Sequence, residues 1–349
     1  MMRPLSTFFL LLFITLLSVS CDKEPAQEFK RTILKFGTLI DVTLYNVEPA
    51  LAEKALNQIE ANFNQYHDNW SSWQDSPLTR ANQKLAAKQT TQLHPSIIPL
   101  IKKSQRLSKS SHGLFNPSIN QLISLWQFHR SDDPNIQPPN HQDILEWLQN
   151  KPEMSDLELN GQQLRSRNPL AQLNFGAFAK GYAIDLCFDY LQSVDINNAV
   201  INAGGDLSVR GQHGERPWKI GIRHPREDHI IAWLEAQDQE SIFTSGDYER
   251  FYEYKGQRYH HILDPRTGYP ARGSTSVTVI HNNAGTADAA ATALFVAGPE
   301  QWQNIARSMG IEYVMLIDTQ GSIHMTTKMA QRIHFSKNRS GNILIDKSL

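Results

Sequence analysis

Cysteine is nearly absent: the 349-residue chain contains two, Cys21 and Cys187. That scarcity excludes a disulfide scaffold, so a packed core must hold the fold. An excess of charge of one sign is also missing. Lys and Arg number 34 against 35 Asp and Glu, a net charge of −1, and no segment gathers the basic residues on one face. Nucleic acid is therefore excluded as a partner. There is no internal repeat and no low-complexity tract. A hydrophobic fraction of 40% supplies one large core or two modest ones.

The N-terminus is the conspicuous exception to this evenness. "MMRPLSTFFLLLFITLLSVSC" has a basic start at Arg3, an apolar run from Phe8 to Leu17 and small residues before Cys21. It reads as an export signal over residues 1–20, too short for a mature membrane helix. Ending on cysteine, it resembles a lipoprotein signal that departs from the usual pattern at Ser18, where an aliphatic residue is common. It implies a lipidated N-terminus at Cys21, with residues 21–31 as a tether and a catalytic domain over 32–340, the alternative being a secreted protein cleaved nearby. Asp22 resembles the signal that keeps such lipoproteins on the inner membrane, so the expected location is its periplasmic side. Cys187, in "AIDLCFDYL", is then a packing residue.

Along the chain, "TILKFGTLIDVTLYNV" alternates as a strand with a break at Gly37, and Pro49 opens a helix. Further helices are expected over Pro95–Ser111, Ser118–Phe128, His141–Asn150, Ala177–Ser193, Thr286–Ala297 and Pro299–Met309. "LELNGQQLRSR" predicts a hairpin turning on Asn160-Gly161, and "AQLNF" a short strand. Four or five short strands follow between Asn198 and His281, and "EYVMLID" is another. Hairpins outnumber crossovers, which predicts an α+β fold of mostly antiparallel sheets flanked by helices.

Several segments could carry chemistry. "TADAAATALFVA" is apolar around its circumference, yet holds Asp288, with Thr292 one turn away. A buried carboxylate needs a positive neighbour: either an ordinary ion pair or a hard cation taken by carboxylate and hydroxyl oxygens. "LNFGAFAKGYAIDL" places small residues and Lys180 at a helix start, suited to phosphate oxygens or simply to tight packing. Gly204-Gly205 permits a turn or a close backbone approach to a ligand. In "RYHHILDP", alternation sends Tyr259, His261 and Leu263 to one face and His260 and Ile262 to the other, so only one histidine can serve a given site.

Taken in order, "GLFNPSINQLISLW", "LNFGAFAKGYAID", "INAGGDLSVRG", "WKIGIRHP", "TSGDYERFYEYKGQRYHHILDPRTGYP" and "ADAAATALFVAG" resemble the ApbE family of flavin transferases from about Phe36 to Gly298. The resemblance implies a fold of that type and a reaction in which FAD is split. AMP leaves, and FMN is joined by a phosphoester to a Thr or Ser of an acceptor protein, a membrane-associated redox subunit. It implies Mg²⁺ on Asp288, Thr292 and the Ala177 carbonyl. It implies flavin contacts at Phe36, Trp73, Leu114, Phe115, Asn116, Asn174, Lys180 and Ile262, and a general base at His261. Asp264 and Pro265 would shape the turn, with Arg266 near the phosphates. Where the family commonly has Met, Tyr, Asp and Asp, this chain has Phe36, Trp73, Asn116 and Asn174. The two asparagines each remove a negative charge while keeping an acceptor oxygen. Two rival readings use the same site: an FAD pyrophosphatase that hands the phosphoryl group to water, and a non-catalytic FAD-binding lipoprotein.

Overall fold

The computed structural model describes residues 27–131, 133–337 and 341–348. The chain opens with strands β1 (Glu28–Lys35) and β2 (Thr38–Tyr45), then helices α1 (Pro49–Trp70) and α2 (Pro77–Ala86). Strand β3 (Thr91–Gln92) and helices α3 (Ile98–Ser110), α4 (Asn120–Trp126) and α5 (His141–Gln149) follow. Next come β4 (Leu157–Asn160), β5 (Gln163–Ser166), α6 (Ala179–Ser193), β6 (Ala199–Ala203), β7 (Asp206–Arg210), β8 (Trp218–Arg223) and β9 (Ile230–Ala236). After them lie β10 (Ser241–Gly246), β11 (Phe251–Tyr254), β12 (Gln257–His260), β13 (Ser274–His281) and α7 (Ala284–Met309). The chain closes with β14 (Tyr313–Asp318), β15 (Ile323–Thr326), α8 (Thr327–Arg332), β16 (His334–Phe335) and β17 (Ile343–Asp346). The export signal and Cys21 lie outside the described residues.

The architecture is α+β. A sheet in the order β1-β2-β6-β7-β10-β13-β14-β15-β17 forms its centre, antiparallel at each described pair except β15–β17. Strand alternation divides the core between the two faces of this sheet. Val277, Val279, Val314 and Leu316 pack with α1, α3, α6 and α7 on one face. Ile280, Met315 and Ile317 meet Ile220, Ile222 and Leu234 of the small β16-β9-β8 sheet on the other. Trp126, Phe128 and Trp147 centre a third cluster with Tyr252 and Leu263.

Several boundaries differ from expectation for local reasons. The first strand begins at Glu28 rather than Thr32, because residues 28–31 pair with Val42 to Tyr45. Phe36 and Gly37, at φ 55° and 73°, form a tight hairpin turn between β1 and β2. The β4–β5 hairpin turns on Gly161 and Gln162, not on Asn160-Gly161, since Asn160 pairs with Gln163. Only Gly161 of that turn has positive φ, which fits the type II′ form. "AQLNF" makes a single bridge, Gln172 to Ile119, instead of a strand. The helix expected from Ala177 starts at Ala179, and the one expected from Ser118 runs from Asn120 to Trp126. The two helices expected on either side of Gly298 form one kinked element, with Gly298 at φ 70° ahead of Pro299. Helix α2 and the C-terminal β15-α8-β16-β17 segment stand in addition to the expected elements.

Helix α6 approaches α7 closely. A Cβ on Gly181 would lie 2.3 Å from the Ala284 carbonyl oxygen, so only glycine permits the contact. Asp185 supports it by accepting from the Ala284 and Gly285 N–H groups at 2.8 and 3.0 Å. Cys187 is fully buried on α6, and burial pushes its thiol pKa up. It is a packing residue.

Candidate functional site

The α6–α7 contact leaves a cavity of about 840 Å³ between these helices, the β1–β2 turn and the ends of β6, β10 and β12. Its size is toward the upper end of the ~300–1,000 Å³ common for small-molecule sites. Phe36, Trp73, Leu114, Phe115, Asn116, Asn174, Ala177, Lys180, His261, Ile262, Asp288 and Thr292 all line it. Residues separated by 256 positions of chain are thus brought to one space (292 − 36).

One group of lining residues is aromatic. Phe36 meets Phe63 and His67 edge-on, with ring centroids 6.3 and 5.6 Å apart, and its N–H points to His67 Nδ1 at 3.4 Å. Trp73 is 47% exposed, its ring 4.6 Å from that of His129. Such an indole presents a face on which a planar ligand can stack.

A second group is charged. Lys180 Nζ lies 3.2 Å from Asp206 Oδ2 and 3.6 Å from Asp288 Oδ1. The other Asp288 oxygen accepts the Gly181 N–H at 3.1 Å, a bond that the close α6–α7 approach makes possible. Burial raises the Asp206 and Asp288 carboxyls, with Lys180 opposing. Burial would likewise lower Lys180, but the two carboxylates outweigh it and keep the ammonium charged. The ion-pair reading of Asp288 therefore describes an interaction that is present.

The donor set also suits a hard cation. Thr292 Oγ1 lies 3.3 Å from the Ser245 hydroxyl, its one hydrogen-bond partner among the described residues, and the Ala177 carbonyl belongs to the turn just before α6. Among the described residues no cluster of three or more His, Cys, Asp or Glu could hold a metal. A cation here would rely on one carboxylate, a hydroxyl and a carbonyl, completed by water or substrate oxygens, which is the habit of Mg²⁺.

The two histidines separate. His260 is buried, its Nε2 2.9 Å from the Ala271 carbonyl and its Nδ1 accepting the Ile262 N–H at 3.3 Å, with the ring edge-on to Phe295. His261 lines the cavity; its Nδ1 is buried and, among the described residues, makes no close hydrogen bond, although the Arg250 carbonyl is near enough to the ring to favour its protonated form. Burial, then the charge of Arg250, His260 and Lys180, hold its pKa down to about 3, so the ring is neutral at pH 7. The expected alternation fails one residue later. Strand β12 ends at His260, and Ile262 and Leu263 both line the cavity with His261.

The two asparagines are hydrogen-bonded within the protein. Asn116 donates from Nδ2 to the Pro152 carbonyl at 2.9 Å, while its Oδ1 accepts from the Ser118 N–H at 3.1 Å. Asn174 donates from Nδ2 to Ser72 Oγ at 2.8 Å and Asn120 Oδ1 at 3.0 Å. A carboxylate could make none of these donations. Arg266 does not reach the cavity. It forks onto Asp264 at 2.9–3.2 Å and reaches Gln301 and the Val296 carbonyl, fixing the turn after His261. Sequence reasoning named no role for Asp206, Thr244, Ser245 or Arg250, which also line the cavity. Asp206 directly follows Gly204-Gly205, and that was the signal available for it.

The model of the ApbE family matches residues 36–315. An FAD:protein FMN transferase of Rhodobacter capsulatus is 39% identical over 309 residues, 88% of this chain and 59% of that protein. One from Vibrio cholerae serotype O1 is 30% identical over 311 residues, 87% of this chain and 91% of its own. The chain thus spans less than two thirds of the first of these relatives. The crystal structure of the ApbE protein from Thermotoga maritima superposes with a TM-score of 0.80 at 28% identity, covering 88% of this chain and 99% of that one. Flavin transferase ApbE from Vibrio cholerae gives 0.77 at 26% identity, with 88% and 100% covered.

Proposed function

The chain belongs to the ApbE family, and on that premise we propose that it is an FAD:protein FMN transferase. FAD would lie in the cavity with its ring system against Trp73 and Phe36 and its diphosphate among the charged residues. The hydroxyl oxygen of a Thr or Ser on the acceptor protein attacks the phosphorus on the flavin side. The bond from that phosphorus to the bridging oxygen breaks, and AMP departs with the electron pair. The product is a phosphoester of FMN.

The observation that carries this reading is a neutral histidine lining the cavity beside a cluster of fixed charges. The neutral His261 ring, which lines the cavity, would take the hydroxyl proton on its unprotonated nitrogen as the oxygen attacks. Its basicity responds to phosphate. The charges of Arg250 and Lys180 depress it, and phosphate oxygens placed against those cations would relieve that depression. Asp288, Thr292 and the Ala177 carbonyl would hold Mg²⁺, which supplies charge neutralisation to the phosphoryl oxygens. Lys180, held by Asp206, is oriented toward the same region. Asn174 joins the turn before α6 to Ser72 and the start of α4, fixing the wall on which the flavin rests.

The proposal extends to place. Cys21 would be acylated and the domain anchored on the periplasmic side of the inner membrane, where membrane redox subunits are within reach of the site. The test of function is mass spectrometry of such a subunit after incubation with the protein, FAD and Mg²⁺. An FMN adduct on a Thr or Ser with equimolar AMP is expected. Free FMN and AMP without adduct would identify a pyrophosphatase, and intact FAD would leave only a flavin-binding protein.

A further inference from the structure

We propose that Arg250 is the side chain that grips the diphosphate, its guanidinium taking two phosphate oxygens in a fork. The proposal rests on the reading of FAD as substrate.

Three cationic side chains line the cavity, Lys180, Arg223 and Arg250, against three carboxylates, Asp206, Glu249 and Asp288. Lys180 is engaged by Asp206 and Asp288, and Arg223 Nη2 lies 3.4 Å from Glu249. Arg250 differs: among the described residues its guanidinium has neither an ion pair nor a side-chain hydrogen bond. Outside the cavity, Arg226 and Arg266 both spend their forks on carboxylates, Asp247 and Asp264. A dianion entering a cavity whose formal charges already balance meets one unspent cation.

That cation is held in place. The Arg250 carbonyl accepts the His261 N–H at 3.0 Å, which ties it to the histidine proposed to take the proton. On its other side it rests over the β1–β2 turn, where a Cβ on Gly37 would stand 2.4 Å from Nη2. Glycine at that turn leaves room for the guanidinium at the cavity wall. Its charge acts on both His261 and Lys180, lowering each, so it lies among the groups that would surround the phosphates.

The test compares two ligands by quenching of flavin fluorescence on the full chain, without acceptor protein. FAD carries the diphosphate and riboflavin carries none. Arg250→Ala should weaken FAD binding by about 10- to 100-fold, the scale of a charge-assisted fork, and leave riboflavin unchanged. Arg250→Lys should restore part of the loss, because it returns the charge without the fork. Equal FAD affinity in wild type and Arg250→Ala, or equal losses for both ligands, would overturn the proposal. Failure of the wild type to bind FAD would instead overturn the transferase reading from which it starts.

Discussion

Replacing Gly181 with alanine should damage both the fold and the site, and the size of the effect follows from distances. The added Cβ would stand 2.3 Å from the Ala284 carbonyl oxygen, 2.6 Å from its carbon and 2.8 Å from the Gly285 nitrogen. All three are backbone atoms at the start of α7, so no side-chain rotation relieves the contact and the helices must separate. Overpacking of this kind costs about 1–3 kcal/mol. Separation also lengthens the 3.1 Å bond from the Gly181 N–H to Asp288, a charge-assisted hydrogen bond in a buried setting worth about 1.5–3 kcal/mol. The sum is about 2.5–6 kcal/mol, or a fall in Tm of about 3–8 °C for a chain of this size. Thermal and urea unfolding followed by circular dichroism measure it. Gly310→Ala is the control: it has open space around its Cβ and costs only the left-handed conformation, about 1–2 kcal/mol. A Gly181→Ala protein as stable as the control would refute the claim that this helix contact is closed to any side chain.

Asp288→Asn keeps an acceptor for the Gly181 N–H and removes the charge, so AMP release should stop while the fold persists. Unchanged turnover, read by chromatography of the nucleotides, would remove Asp288 from the cation site. Stability should also depend on His261 through pH. Its folded pKa of about 3 lies below an unfolded value of ~6.5, so stability is fully present above ~6.5 and declines as pH falls toward 3. The loss of Tm between pH 7 and pH 5 should therefore be smaller in His261→Gln than in wild type; parallel curves would contradict a neutral, proton-resistant ring. Cys21→Ala should move the protein from the membrane to the soluble fraction, whereas a wild type found wholly soluble would rule out the anchor.

Much of the site was legible because its residues sit in short segments with strong local signals. A lone carboxylate on an apolar helix, one turn from a threonine, draws attention to Asp288 and Thr292 while leaving an ion pair and a cation site both open, and "HHILDPRTGYP" announces a strand running into a turn. What stayed hidden depends on contacts between segments. Arg266 looked available for phosphate, yet Asp264 two residues earlier captures its fork. Arg250 looked ordinary, and its freedom is visible only once every neighbouring carboxylate is seen with another partner. Strict alternation put His261 and Ile262 on opposite faces because nothing in the local pattern shows β12 stopping at His260. Helix α2 escaped notice because "PLTRANQKLA" has only two leucines; its capping box of Ser76 and Thr79 was the stronger signal. Asn116 and Asn174 read as weakened carboxylates in the sequence, but their amide hydrogens make bonds that a carboxylate lacks.

In the proposed reaction His261, not His260, takes the proton from the acceptor hydroxyl, and single-turnover FMN transfer measured in both alanine variants separates the two. His261→Ala should slow transfer by about 100- to 10,000-fold while FAD still binds. His260→Ala removes a buried ring that bonds to the Ala271 carbonyl and packs on Phe295, so it should lower stability and leave the transfer rate close to wild type. A severe transfer defect in folded His260→Ala beside a near-normal rate in His261→Ala would contradict the account.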